Sequence, residues 1–356
     1  MNHNVSEKIF PEPAPDFGNI LRILDRGKPE RPTLFEFFMS GHIYAELAGR
    51  MISEPYTELE WLQWVVEAFR RGGYDYATSG GSQFRFPREE QRREKTRSLN
   101  EGNAFYDRDS FERYIWPDPE DFDYSPLEEI SPYLPRGMKL IVSGPSGLLE
   151  NVVQLTGYNN LCMLLYDNAS LAAEIFDNVG SRLKKHYELA VKHDTVGALM
   201  INDDWGFKTQ TMLSPGDMKK YVIPWHKELV TVAHDAGKPA IMHSCGRLDE
   251  VMDDIIDEIG FDGKHSYEDN IQPVEQAYEQ WSDRIAVMGG IDVDFICRKD
   301  PEKVYTRSAE MIARSAKKGA FALGSGNSTP DYVPDQGYPT MLNAVLDTRC
   351  TSCPHT

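Results

Sequence analysis

Five cysteines in 356 residues (Cys162, Cys245, Cys297, Cys350 and Cys353) are too few and too scattered to build a disulfide framework. They read as thiols, with one or more of them free to hold a metal. Long apolar runs are also missing. Mean hydropathy is -0.50, and no uninterrupted stretch approaches the roughly 20 residues needed to cross a bilayer. Positive charge is scarce: 38 Lys+Arg stand against 56 Asp+Glu, a net charge of -18 with a pI near 5.0. Such a balance repels phosphate backbones and anionic lipid, so neither nucleic acid nor a membrane is an expected partner. The opening residues, MNHNVSEKIFPEPAPDF, have no basic segment followed by an apolar one, and a cytoplasmic location is expected.

No Ser/Gly linker or low-complexity tract divides the chain. With 40% hydrophobic residues it has enough apolar side chains for a substantial core. The expectation is one domain over residues 1–349, with an N-terminal arm over 1–30 and a C-terminal tail over 350–356. The stretch 87–97, PREEQRREKTR, reads as a second surface arm.

From about residue 136 short apolar runs alternate with longer amphipathic segments, the rhythm of βα units. Strand candidates are KLIVSG (139–144), VGALMIN (196–202), KPAIMHS (238–244), FDGKHS (261–266), RIAVMGG (284–290) and AFALGSG (320–326). PTLFEFFMS (32–40) and YDYATSG (74–80), flanking the helical TELEWLQWVVEAFRRGG, add two more. Eight strands with their helices predict an α/β fold, a (β/α)8 TIM barrel with an N-terminal extension. A doubly wound open sheet is disfavoured because no Gly-rich phosphate loop follows a first strand.

Chemistry in such barrels gathers where strands end, which singles out Glu36, Asp203, Asp204, His243, Cys245, His265, Glu268, Asp292 and Ser325. His243 and Cys245 are two apart on an extended segment, so imidazole and thiol point the same way and can converge on one atom. That donor pair suits Zn2+, which takes nitrogen and thiolate sulfur and keeps an open position in catalytic sites. A strand-end histidine beside an inert buried cysteine is the plain alternative. The third ligand must come from another strand end, and Glu268, His265, Asp204 and Glu36 are candidates. Glu268 and His265 lie on the adjacent strand end, and Glu268 is the residue chosen. The paired acids Asp203 and Asp204, with Glu268, are the expected catalytic carboxylates, either orienting His243 or moving a proton. In GGIDVD, Asp294 reads as a helix cap. In the Gly-rich loop 322–334, Ser325 and Asn327 are the expected cofactor-binding residues, with Ser325 the side chain placed to reach the site. Cys162 and Cys297 fall in helical patterns and read as buried fillers. Cys350-x-x-Cys353 lacks a second pair to complete a four-ligand site and reads as a frayed tail.

With INDDWGFKTQTMLSPGDMKKYVIPWHKELVTVAHDAGKPAIMHSCG, the GGID turn and ALGSGNSTPDYVP in view, the sequence resembles the uroporphyrinogen decarboxylase superfamily, which includes corrinoid-dependent (cobamide) methyltransferases. The likeness covers most of the chain and is strongest over about 196–346. It implies a (β/α)8 barrel. The metal-free decarboxylase branch implies an arginine-bearing N-terminal segment and a GHG at the last strand. Here stand PTLFEFFMSGHIYAELAGR and Gly324-Ser325-Gly326, so heme biosynthesis is disfavoured and a metal-free decarboxylase is the second choice. The methyltransferase branch implies a His-x-Cys zinc site at His243 and Cys245. Where its coenzyme M members have a further cysteine, this chain has Ser325. That departure favours a sister branch that takes methyl from ethers or amines, with a corrinoid protein as partner. The expectation is methyl transfer between a small methylated substrate and that partner across an open barrel mouth. A binding barrel without turnover is the third possibility. A homodimer is compatible with the sequence, although no segment demands one.

Overall fold

The computed structural model describes residues 14–87, 99–100, 104–333 and 336–352. Most of the 87–97 arm, the first 13 residues, Cys353 and His355 lie outside the described residues.

Seven parallel strands form one sheet in chain order: β1 (Tyr76–Ser79), β2 (Lys139–Ser143), β3 (Val196–Asn202), β4 (Ala240–His243), β5 (Gly263–His265), β6 (Ala286–Met288) and β7 (Phe321–Ala322). Each falls inside a segment expected to be a strand. Their middles are continuous apolar runs, such as Leu140, Ile141 and Val142 of β2, buried on both sides as parallel strands covered by helices must be.

The eighth strand is a different matter. Residues 32–40 do not form a regular strand; Leu34 makes a single parallel bridge to Leu323, through Phe35 N to Leu323 O (2.7 Å) and Leu323 N to Thr33 O (2.9 Å). On its other side the segment meets β1 through a side chain, since the Tyr76 hydroxyl both accepts from Glu36 N and donates to Glu36 O at 2.6 Å. The expectation of eight paired strands is therefore met by seven and one bridge. Pro32 and the bulky aromatics of FEFF explain the short ladder: proline gives no donor, and Phe35 and Phe37 are spent in packing.

The covering helices follow local signals. Helix Glu58–Arg71 opens on a capping box in which Thr57 Oγ1 accepts from Glu60 N (3.2 Å) and Glu60 Oε2 accepts from Thr57 N (2.7 Å). It buries Leu62, Val65, Val66 and Phe69 on one face. The amphipathic stretch 214–237 between β3 and β4 is not one helix but a short turn of helix, a π-helical stretch Met218–Val222 and helix Ile223–Asp235. Pro224 removes one backbone donor there, and the ladder widens ahead of it. Asp292, not Asp294, caps helix Val293–Arg298, its carboxylate accepting from Phe295 N at 2.9 Å. Asp294 pairs instead with Arg298 one turn on, at 2.6 Å. Cys162 is exposed and Cys297 half-buried rather than buried fillers. Helix Tyr158–Asp167 buries only Leu161 and Leu164, and Cys162 lies on its outer face. No helix among the described residues is long and apolar enough to cross a membrane.

Candidate metal centre

Register builds the site. Asn202 pairs with His243 across β3 and β4, and His243 pairs with His265 across β4 and β5. Paired residues of neighbouring strands share a face, so these three side chains stand in a row at the C-terminal ends of the strands. The two imidazoles meet there, His243 Nδ1 lying 2.7 Å from His265 Nδ1. His265 Nε2 is 3.1 Å from the Ser325 carbonyl oxygen, which the backbone N–H of Gly290 also holds, at 2.9 Å.

That carbonyl can only accept, and its identity settles the protons along the chain. His265 donates from Nε2, so its Nδ1 carries a lone pair. His243 must then donate from Nδ1, which leaves the lone pair on its own Nε2. Burial holds both rings neutral, pushing His265 down to about 3 and His243 well below the ordinary histidine range. The result is an imidazole fixed in one tautomer with its free nitrogen directed to Cys245, whose Sγ lies 3.9 Å away. Asp204 closes the group. Its Oδ1 accepts from Cys245 N at 2.9 Å and lies 4.0 Å from His243 Nε2.

The ligand atoms of Asp204, His243 and Cys245 all lie within 4.8 Å of one another. One nitrogen, one sulfur and one oxygen, with a fourth side left open, form a donor set compatible with zinc. The sulfur is further held by Asn327 Nδ2 at 3.1 Å and Ser266 Oγ at 3.5 Å, donors that steady a thiolate. Without a cation, burial and the neighbouring Asp204 push the Cys245 thiol up. A bound divalent ion reverses that order and deprotonates a coordinating thiol.

Glu268, chosen as the third ligand, is not a member of this group; Asp204 takes the place. β5 ends at His265, and Tyr267 N is drawn to Gly326 O at 2.9 Å. The following turn leaves Glu268 in a narrow cleft with Lys264 and Tyr267, behind the cavity. Burial and Asp292 push its carboxyl up. Asp203 goes elsewhere too. Fully buried, it accepts from Leu149 N, Glu150 N (both 2.9 Å) and Trp205 Nε1 (2.9 Å), and so fastens the start of helix Leu148–Thr156. Ser325 is buried and its hydroxyl donates to the Glu36 carboxylate at 2.8 Å, so its backbone carbonyl, rather than its side chain, serves the site. Asn327 does line the cavity.

The cavity has a volume of about 650 Å3 and lies over the ends of β1 to β4, where parallel barrels keep their chemistry. Asp204 and His243 form part of its wall, with Glu150 from the first turn of helix Leu148–Thr156. Burial and Asp204 raise the Glu150 carboxyl to about 7. The strand-end rule that found Asp204 also reaches Glu150, seven residues beyond β2, but only when the intervening GPSGLL is read as a short turn into a helix whose first turn faces the cavity. Phe37 packs on His243 with ring centroids 4.8 Å apart.

Parallel strands in chain order under helices place the molecule in the barrel-like α/β class. Residues 137–347, more than half the chain, match the model of the uroporphyrinogen decarboxylase (URO-D) family, and the chain belongs to that family. It is similar in structure to a methyltransferase from Methanosarcina mazei, with a TM-score of 0.66 and 14% identity over 92% of this chain and 97% of that one. At that identity the likeness is one of fold. No curated protein matches the sequence.

Proposed function

We propose that the protein is a zinc-dependent methyltransferase, moving a methyl group between a small methylated substrate in the cavity and a corrinoid carried by a separate protein. The observation that carries this reading is the hydrogen-bond chain from the Ser325 carbonyl through His265 to His243, which leaves one imidazole lone pair beside a thiol and a carboxylate. Asp204, His243 and Cys245 would hold zinc, which would supply a Lewis acid for the substrate heteroatom that loses the methyl group. Asp204 serves in this arrangement as a ligand. Family membership and the fold shared with a methyltransferase support the assignment.

The chain's own groups do the rest. His265 holds His243 in its ligating tautomer. Asn327 and Ser266 donate to the Cys245 sulfur, and Phe37 covers the imidazole on its cavity side. The open mouth over the strand ends gives the corrinoid protein its approach.

Elemental analysis of protein purified without chelator checks the metal, with Cys245→Ala beside the wild type. The expected result is about one zinc per chain in the wild type and little in the variant. Wild type that stays metal-free after zinc is supplied overturns the reading and brings back a metal-free decarboxylase.

A further inference from the structure

The cavity wall carries two carboxyl groups, Glu150 and Asp204, and neither lysine nor arginine is among the described residues lining it. Lys264 is near enough for its charge to act on Cys245 and Asp204, but it is not among the lining residues; its buried ammonium donates to Ser266 O at 2.7 Å over the Tyr267 ring. An anionic guest would meet two carboxyl groups and no lysine or arginine among the described lining residues, and burying an unpaired anion is costly. Aromatic side chains form one part of the wall, the remainder being mostly small and polar residues. Phe37, Phe38, Tyr44 and Trp61 line one side, with Phe37 and Phe38 edge to face at 5.0 Å and Tyr44 and Trp61 at 6.5 Å. Aromatic faces beside a carboxylate are the surroundings that hold a methylated ammonium, whose charge is spread over its methyl groups and attracted by ring quadrupoles.

A second observation points the same way. Asn202 lines the cavity and is nine-tenths buried, yet its Oδ1 meets no donor, while its side chain bonds to Glu150. An unused acceptor beside a carboxyl group favours a guest that brings positive charge over one that brings further acceptors.

We infer that the cavity selects an N-methylated cation, a methylammonium compound, over neutral ethers and anionic substrates. The inference names the substrate class of the methyl transfer proposed above and rests on that reading. A cation is also compatible with the metal centre: a divalent ion held by one carboxylate and one thiolate is neutral overall and does not repel a cationic guest. Losing a methyl turns the ammonium into a neutral amine with a new lone pair.

Calorimetric titration of chelator-treated protein tests this with three probes: choline, its neutral carbon isostere with a tert-butyl group in place of trimethylammonium, and anisole. Choline is expected to bind about tenfold or more tighter than the isostere, in the range of a desolvated cation–π contact. Glu150→Gln and Trp61→Leu, each with the circular dichroism of the wild type, should shrink that ratio toward one. If Glu150→Gln does not fold, Trp61→Leu alone decides. Absence of choline binding, parity with the isostere, or tighter binding of anisole overturns the inference. Because metal is removed beforehand, a zinc-free wild type fails the methyltransferase reading without altering this titration, and the converse also holds.

Discussion

At the scale of single residues, His265 has more influence on the site than its lack of any ligating contact implies. It accepts the Nδ1 proton of His243 and passes the hydrogen bond to a carbonyl that cannot change role. His265→Ala removes that acceptor. The His243 ring can then turn or change tautomer, and metal affinity is expected to fall by about 10- to 100-fold, the usual cost of losing such a partner. His265→Gln, whose side-chain oxygen can accept the same proton, should recover part of the loss. Competition against a chromophoric chelator measures both variants. Equal zinc affinity in His265→Ala and wild type would show that the chain of imidazoles has no bearing on the metal. A cavity-deletion effect on folding alone would not be rescued by glutamine, which separates the two causes.

At the scale of elements, the loop after β4 is held against the loop after β3. Gly246 has φ +88°, and a Cβ there would lie 2.1 Å from Gly206 O and 2.4 Å from Gly206 Cα. Arg247 N donates to Phe207 O at 2.8 Å across the same contact. Gly246→Ala is therefore strained in its backbone and in its space, at a cost of about 1–3 kcal/mol. Since Cys245 immediately precedes it, the thiol should move away from His243 as the loops part. A lowered melting temperature together with weakened zinc binding is the expected pair of results. A variant as stable as wild type would mean that the loops separate without strain. The same loops show what the sequence could and could not reveal. KPAIM followed by HSCG is a strand with a ligand pair at its end, legible because both signals are local. That Asp204 rather than Glu268 completes the group depends on where two loops turn after their strands, and loop paths are set by contacts such as Gly206 with Gly246, forty residues apart in sequence. The tautomer relay was equally hidden, since a backbone carbonyl leaves no mark in the residue type of Ser325. Strand positions were readable because buried parallel strands are unbroken apolar runs. The missing eighth ladder was not, because FEFF has strand-like composition while its aromatics pack into the core.

At the scale of the whole molecule, the seam between residues 33–37 and 323–327 joins the N-terminal segment to the last strand of the sheet. Glu36 lies at its centre, fully buried and raised to about 8 by that burial, against an ordinary value of 4.5. Below about 4.5 the group is protonated whether the chain is folded or not. Between that value and about 8 the unfolded chain ionises while the folded one keeps its proton, so this contribution to stability is lost as pH rises through the window, at up to about 1.4 kcal/mol per pH unit. Glu36→Gln is neutral throughout and should flatten the fall in melting temperature between pH 5 and 8. An unchanged profile would mean that Glu36 ionises in place. Arg349 of helix Gly337–Ser352 ties the same seam, donating to Pro32 O and Gly73 O at 2.7 Å each. The Ser325 hydroxyl reaches Glu36 across 289 positions of chain. During synthesis, then, the aspartate, histidine and cysteine emerge from the ribosome well before the carbonyl that orients them and the asparagine that steadies the sulfur. The centre acquires its finished geometry only after residues 323–327 have emerged and met residues 33–37.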